Sequence, residues 1–217
     1  MTRLGVLISG RGSNMLALQR AIDAGSLNAT ISHVLSSKPD TLGAATARTF
    51  CDRVSTLNAQ DFADRDAFDR ALDQLIPVGS VDFLVLAGFM RILTAQFIAP
   101  RLGTIVNIHP SLLPKFPGLH PHRRALANGE TEHGASVHFV IPELDLGPVF
   151  AQARLTIEPT DSESSLADRV LALEHELYPR AVQLLVKRRI VWSADALLLD
   201  GRPLTQPLEL AALLAGD

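Results

Sequence analysis

Asn107 and His109 stand two residues apart in the run TIVNIH, and the chain then breaks into a loop with four prolines between Pro110 and Pro121. Side chains at alternate positions of a strand point to one side, so this spacing predicts a carboxamide and an imidazole projecting together from a strand's carboxyl end. Such a pair suits one reacting carbonyl: the amide holds developing negative charge while the imidazole moves a proton. A histidine at a strand end also often does no more than hydrogen-bond a loop carbonyl; the neighbouring Asn107 is what favours chemistry. A third candidate, Asp145 in ELDLGPV, needs no explanation as a surface turn residue. Brought near His109, its charge would favour the imidazolium and raise the His109 pKa.

Two glycine-marked turns are candidate binding elements. In VLISGRGSNMLAL a strand passes through Gly10-Arg11-Gly12-Ser13-Asn14 into a helix. The N–H groups of that helix's first turn, with the Ser13 hydroxyl and the Asn14 amide, suit a phosphate. A P-loop lysine is lacking, and Met15 stands where the dinucleotide fingerprint needs its third glycine, so a phosphorylated small ligand fits better than NAD or ATP. The plainer alternative is a tight turn with Ser13 capping the helix. In LAGFMRIL a hydrophobic strand, Phe83 to Ala87, ends at Gly88. Ligands of open α/β sheets lie beyond the carboxyl ends of strands, so Met90, Ile92 and Leu93 are candidates for an apolar slot with Arg91 beside it. Packing of a loop on the core is the alternative there. His120, His122, His133 and His138 raise the question of a metal. Neither His-Glu-x-x-His nor a second cysteine beside Cys51 is present, so no metal is expected.

The elements that must position these residues alternate along the first half. LGVLIS precedes a helix from about Asn14 to Ala24, ATISHVLS one near Leu42 to Cys51, and VSTL the amphipathic stretch Asp64 to Ile76. FLVLAG, a short helix near Thr94 to Ala99, and TIVNIH follow. This rhythm predicts a mostly parallel α/β sheet with a Rossmann-like beginning. After Pro110 it changes: a short helix from about His122 to Asn128 leads into GASVHFVI and PVFAQARLTI, joined by the turn PELDLG. A long helix from about Ser164 should kink or restart at Pro179, and LLLDGRPL reads as a hairpin on Asp200-Gly201. The expected fold is therefore Rossmann-like α/β, a mostly parallel open sheet with an antiparallel C-terminal portion.

With 217 residues, 47% of them hydrophobic, the chain suffices for one well-packed domain. A net charge of -3 gives no general pull toward nucleic acid or anionic membrane, so small-molecule substrates are expected. A single cysteine suits a reducing cytoplasmic setting. No apolar run approaches the ~20 residues that span a bilayer.

Five blocks in order, LISGRGSN, LAGFMRIL, NIHPSLLPKFPGLHPHRRAL, EHGASVHFV and ELDLGP, closely resemble the phosphoribosylglycinamide formyltransferase family of folate-dependent enzymes in purine synthesis. The likeness runs from Leu7 to about Pro179. The N-x-H-P-S-L-L-P block with a distant aspartate would alone define only the wider superfamily that uses 10-formyltetrahydrofolate. The resemblance implies one formyltransferase domain over 1–217, with a phosphate-binding lobe of about 1–100 and a catalytic and folate lobe of about 101–217, acting as a monomer or weak homodimer. It implies that Gly12, Ser13 and Asn14 hold the phosphate of 5-phosphoribosylglycinamide and that Glu174 contacts its ribosyl-glycinamide part. It further implies that Arg65, Met90, Arg91, Ile92, Leu93 and Asn107, with Ile141, Pro142, Glu143, Leu144 and Asp145, receive the co-substrate 10-formyltetrahydrofolate. Asn107, His109 and Asp145 would be the catalytic set. Two departures are mild: Leu146 stands where relatives often carry a smaller residue, and Phe116 replaces a frequent tyrosine.

The rivals each lack something. Methionyl-tRNA formyltransferase ordinarily adds a C-terminal RNA-binding domain, whereas a short tail follows Trp192. Formyltetrahydrofolate hydrolase normally carries an extra N-terminal regulatory domain. A non-catalytic phosphosugar-binding protein has no use for Asn107 with His109, and an NAD-dependent dehydrogenase would want an acidic residue where this chain has Ser36-Ser37-Lys38.

Overall fold

In a computed structural model, which describes residues 1–193 and 196–215, the chain forms two units, Met1–Asn107 and Ile108 onward. The alternating rhythm of the first half becomes β1 (Thr2–Ile8), α1 (Ser13–Asp23), β2 (Ala29–Ser36), α2 (Leu42–Ala47), β3 (Val54–Thr56), α3 (Arg65–Leu75), β4 (Phe83–Leu86), α4 (Ala95–Ile98) and β5 (Ile105–His109). The last of these crosses from the first unit into the second. The pairings β3–β2, β2–β1, β1–β4 and β4–β5 are all parallel. Parallel strands covered on both faces read as unbroken apolar runs, and all four residues of β4 are buried. Because β1 is flanked by β2 on one side and β4 on the other, the chain reverses its direction of travel across the sheet at the β1/β4 boundary. The β1/β4 boundary is thus a topological switch point, and open α/β sheets take ligands beyond the carboxyl ends of the strands at such a point.

The second unit holds α5 (Pro121–Ala127), β6 (Glu132–Phe139), β7 (Val149–Thr156), α6 (Glu163–Val186), β8 (Ile190–Ser193), β9 (Ala196–Leu199), β10 (Arg202–Pro203), β11 (Leu208–Glu209) and α7 (Leu210–Ala215). Strands β6 and β7 are antiparallel, as the PELDLG turn predicts, and β11 adds to β7 in parallel. Helix α6 packs on both β6 and β7, burying Leu166, Val170, Leu177 and Val182 where Val137, Phe139, Phe150 and Ala151 are also buried. The expected hairpin forms between β9 and β10, with Asp200 and Gly201 at φ 50 and 77. The fold is thus the α/β class expected, parallel first and antiparallel later.

Three local expectations change. Helix α2 ends at Ala47 rather than Cys51, and the chain goes on through tighter turns in which the Thr49 and Phe50 N–H groups donate to the Thr46 and Ala47 carbonyls at 3.0 and 3.1 Å. Pro179 neither ends nor restarts α6, a 24-residue helix that runs through it. A buried proline with Tyr178, Ala181 and Val182 buried around it recovers by packing what the missing N–H loses, a loss of about 3 kcal/mol in an unsupported helix. Ser13 is the first residue of α1 and not its cap; the cap is Gly12, left-handed at φ 73, with no side-chain hydrogen bond to the helix. The sequence-based extent to residue 217 includes 194, 195, 216 and 217, which lie outside the described residues.

Candidate functional site

Strand β5 presents Asn107 and His109 at alternate positions, so the pleat sets them on one side. His109 is buried. Its Nε2–H donates to the Phe116 carbonyl at 2.9 Å, which places Nδ1 3.4 Å from Asp145 Oδ2. Phe116 reaches this position at φ 56, and only its backbone oxygen is used; the tyrosine hydroxyl it lacks plays no part in this contact.

Asp145 comes from the β6–β7 turn at φ 55, a left-handed conformation that aspartate tolerates better than most residues. Its side chain is nearly fully buried although Pro142, Glu143 and Leu144 around it are exposed. The Gly118 N–H donates to Oδ2 at 2.8 Å. The turn also needs Gly147: a Cβ there would fall 1.9 Å from the Phe139 carbonyl oxygen. Leu146 is exposed, so its bulk is directed away from this contact.

His138, on β6, is the member that the spacing of the sequence does not reveal. Its Nδ1–H donates to the Phe139 carbonyl at 2.8 Å, and its Nε2 lies 3.6 Å from Asp145 Oδ1. The carboxylate thus sits between two buried imidazoles, each pinned at its other nitrogen by a main-chain oxygen. One signal was available: GASVHFVI places an imidazole among small and apolar residues of a buried strand, where a polar side chain needs a partner.

The expected pull of Asp145 on His109 meets a larger opposing effect. Burial pushes the His109 pKa down by more than the Asp145 charge and the Phe116 carbonyl raise it, and His138 and Arg124 add to the lowering. The pull of Asp145 has the expected sign, but desolvation of the imidazolium is larger. Burial works against the Asp145 carboxylate, yet the His138 imidazole, the His109 charge and the Gly118 N–H together hold its carboxyl below the usual range.

Of the other candidates, His120 is exposed and His122 and His133 face each other. His122 Nδ1 and His133 Nε2 lie 3.1 Å apart, and burial first, then the His122 and His109 charges, holds His133 down to about 4. Among the described residues no group of three His, Cys, Asp or Glu is arranged to hold a metal ion.

In the first unit, the turn after β1 packs close to α2. Gly43 N–H donates to the Gly10 carbonyl at 3.1 Å, and a Cβ on Gly43 would meet that oxygen at 2.6 Å. Gly12 and Asn14 are buried and Ser13 half-buried, at the start of a helix whose cap lacks a side-chain acceptor. Across the switch point, the loop after β4 leaves Met90 and Ile92 exposed and Arg91 half-buried, while Leu93 is buried. Arg65 is exposed at the first position of α3. Glu174 is buried on α6 in the second unit.

A parallel sheet with a glycine turn at its switch point, and a strand end carrying an amide and a carboxylate-held imidazole, are features of an α/β enzyme. A formyl transferase family model matches residues 2–182. The phosphoribosylglycinamide formyltransferase of Escherichia coli is 45% identical over 199 residues, 92% of this chain and 94% of that protein. The trifunctional purine biosynthetic protein adenosine-3 of Drosophila melanogaster is 44% identical over 186 residues, which are 85% of this chain and 14% of that protein. Among solved structures, the phosphoribosylglycinamide formyltransferase of Coxiella burnetii superposes with a TM-score of 0.89 at 41% identity, covering 96% of this chain and 98% of that one. Glycinamide ribonucleotide transformylase 1 of Symbiobacterium toebii gives 0.86 at 36% identity, covering 92% and 94%. The chain belongs to the formyl transferase family, in its phosphoribosylglycinamide formyltransferase branch.

Proposed function

We propose that this enzyme moves the formyl group of 10-formyltetrahydrofolate to the glycinamide amine of 5-phosphoribosylglycinamide in purine biosynthesis. The observation that carries the reading is the buried Asp145 carboxylate 3.4 Å from His109, itself two residues from Asn107 on one strand. The neutral amine attacks the formyl carbon directly, and the Asn107 carboxamide donates to the oxyanion that forms. With its proton shifted from Nε2 to Nδ1, where the Asp145 carboxylate accepts its hydrogen bond, the neutral His109 releases the Phe116 carbonyl, takes the amine's proton on the freed Nε2 and delivers it to N10 as the carbon–N10 bond breaks. Asp145 stabilises the imidazolium in between, so no covalent enzyme intermediate and no metal is needed. Gly12, Ser13 and Asn14 would hold the acceptor's phosphate and Glu174 its glycinamide end. Arg65, Asn107, residues 90–93 and the loop 141–145 would hold the donor. The two units act as one formyltransferase domain, with small molecules as its partners and no nucleic acid or membrane, a monomer or weak homodimer in the cytoplasm. No described helix is long and apolar enough to cross a membrane.

Incubation with both substrates, following tetrahydrofolate release, tests this reading. Release that requires the amine supports transfer; release without it supports the hydrolase instead. Asn107→Ala should lower kcat by about a hundredfold or more, and undiminished turnover removes Asn107 from the mechanism.

A further inference from the structure

We propose that Ser9 and Asp69 are positioning residues for the formyl donor, clamping the two ends of the loop 88–94 so that Met90 and Ile92 are held outward. The inference rests on the reading above that this loop receives the donor. It is an unusual loop for stability alone. Met90 is 70% and Ile92 44% exposed, yet the backbone that carries them is fixed by polar groups that are themselves 5% exposed, Ser9 and Asp69.

At the leading end, Ser9 follows the last residue of β1. Its N–H donates to the Gly88 carbonyl at 3.1 Å, and its Oγ accepts the Met90 N–H at 2.8 Å. The same Oγ lies 2.6 Å from the Ser37 hydroxyl, and the Ser37 N–H is tied to the Ile8 carbonyl at 2.9 Å. Ser37, in the stretch where a dinucleotide enzyme would carry an acid, thus serves as a buttress for Ser9. At the trailing end, the Asp69 carboxylate on α3 accepts the Thr94 N–H at 2.6 Å. Between the clamps, the Arg91 guanidinium lies 4.3 Å over the ring of Phe68, the neighbour of Asp69 on α3. Helix α3 also begins with Arg65.

Burying a hydroxyl and a carboxylate is unfavourable unless each is hydrogen-bonded, and here both are directed at main-chain N–H groups of one loop. An apolar pair at 9 and 69 would free the loop to fold Met90 and Ile92 inward. The clamps instead hold a preformed apolar edge at the β1/β4 switch point, beside the turn that begins at Gly10. Preorganising a binding loop raises affinity by removing the loss of freedom on binding, so the clamps act on donor binding and not on the chemical step.

The test is steady-state kinetics on Ser9→Ala, Asp69→Ala and Asp69→Asn, with amide hydrogen exchange and thermal melting on each. Ser9→Ala and Asp69→Ala should raise the KM for 10-formyltetrahydrofolate about five- to tenfold, the loss of one hydrogen bond to a buried partner. kcat and the KM for phosphoribosylglycinamide should stay within about twofold. Asp69→Asn keeps an acceptor oxygen and should restore most of the donor KM. Exchange should quicken at Met90 in Ser9→Ala and at Thr94 in Asp69→Ala. Both KM values rising together, kcat falling with melting temperature alone, or Asp69→Asn behaving like Asp69→Ala would each overturn the proposal in favour of plain stability. Wild-type transfer with a donor KM unmoved in all three variants overturns it while leaving the functional reading intact. A wild type that transfers no formyl group overturns that reading, and this inference with it.

Discussion

At the scale of single residues, the contact between Asp145 and His109 divides what a sequence can say from what it cannot. Asn107 and His109 were legible because a strand's period is two and both residues lie within one period. The nearness of Asp145 was not, since it stands 36 positions along (145 minus 109) and spacing carries no information across such a separation. The Phe116 carbonyl was invisible for a different reason, because every residue has one. The balance at His109 gives a test of sign. Asp145 raises the His109 pKa against the larger lowering by burial, so Asp145→Asn should move the His109 limb of the pH–rate profile to lower pH. An unmoved limb would break the coupling. For His138, replacement by leucine removes the leading influence that lowers the Asp145 carboxyl. NMR titration of that carboxyl should then shift to higher pH, and an unchanged titration would show that His138 does not act on it.

At the scale of elements, the alternation of strands and helices was readable because buried parallel strands leave unbroken apolar runs and surface helices leave a 3.6-residue period. Pro179 does not restart the helix, because the rule for proline concerns an isolated helix, whereas α6 is held by what it buries. The β6–β7 turn belongs to this scale too. It places Asp145 with a glycine two residues on whose absent Cβ makes room for the Phe139 carbonyl. Gly147→Ala should destabilise the protein by about 1–3 kcal/mol, the usual range for overpacking, and lower kcat as well by displacing Asp145. Urea midpoints together with turnover decide it; a variant with normal stability and activity would mean that the turn yields without moving the carboxylate.

At the scale of the whole molecule, composition and charge bounded the class of protein well, but they said nothing of its response to acid. Buried histidines provide that response. His33, His109, His122 and His133 are all held below their ordinary pKa, burial being the largest cause in each, and His133 reaches about 4. A group whose folded pKa is depressed takes up protons more readily when unfolded. Its stabilising contribution is therefore complete above the unfolded value near 6.5 and is lost as pH falls toward the folded one. For His133 alone that is on the order of 3 kcal/mol between about pH 6.5 and 4. Denaturation midpoints measured from pH 7.5 down to 4.5 should fall steadily; a flat profile would contradict the burial of these imidazoles as neutral groups. The main-chain oxygen that orients His109 has a separate evolutionary meaning. Because position 116 meets the imidazole through its backbone at φ 56, drift there is filtered by conformation rather than by functional group. A β-branched newcomer such as valine or isoleucine at this left-handed position would be selected against without ever touching a substrate.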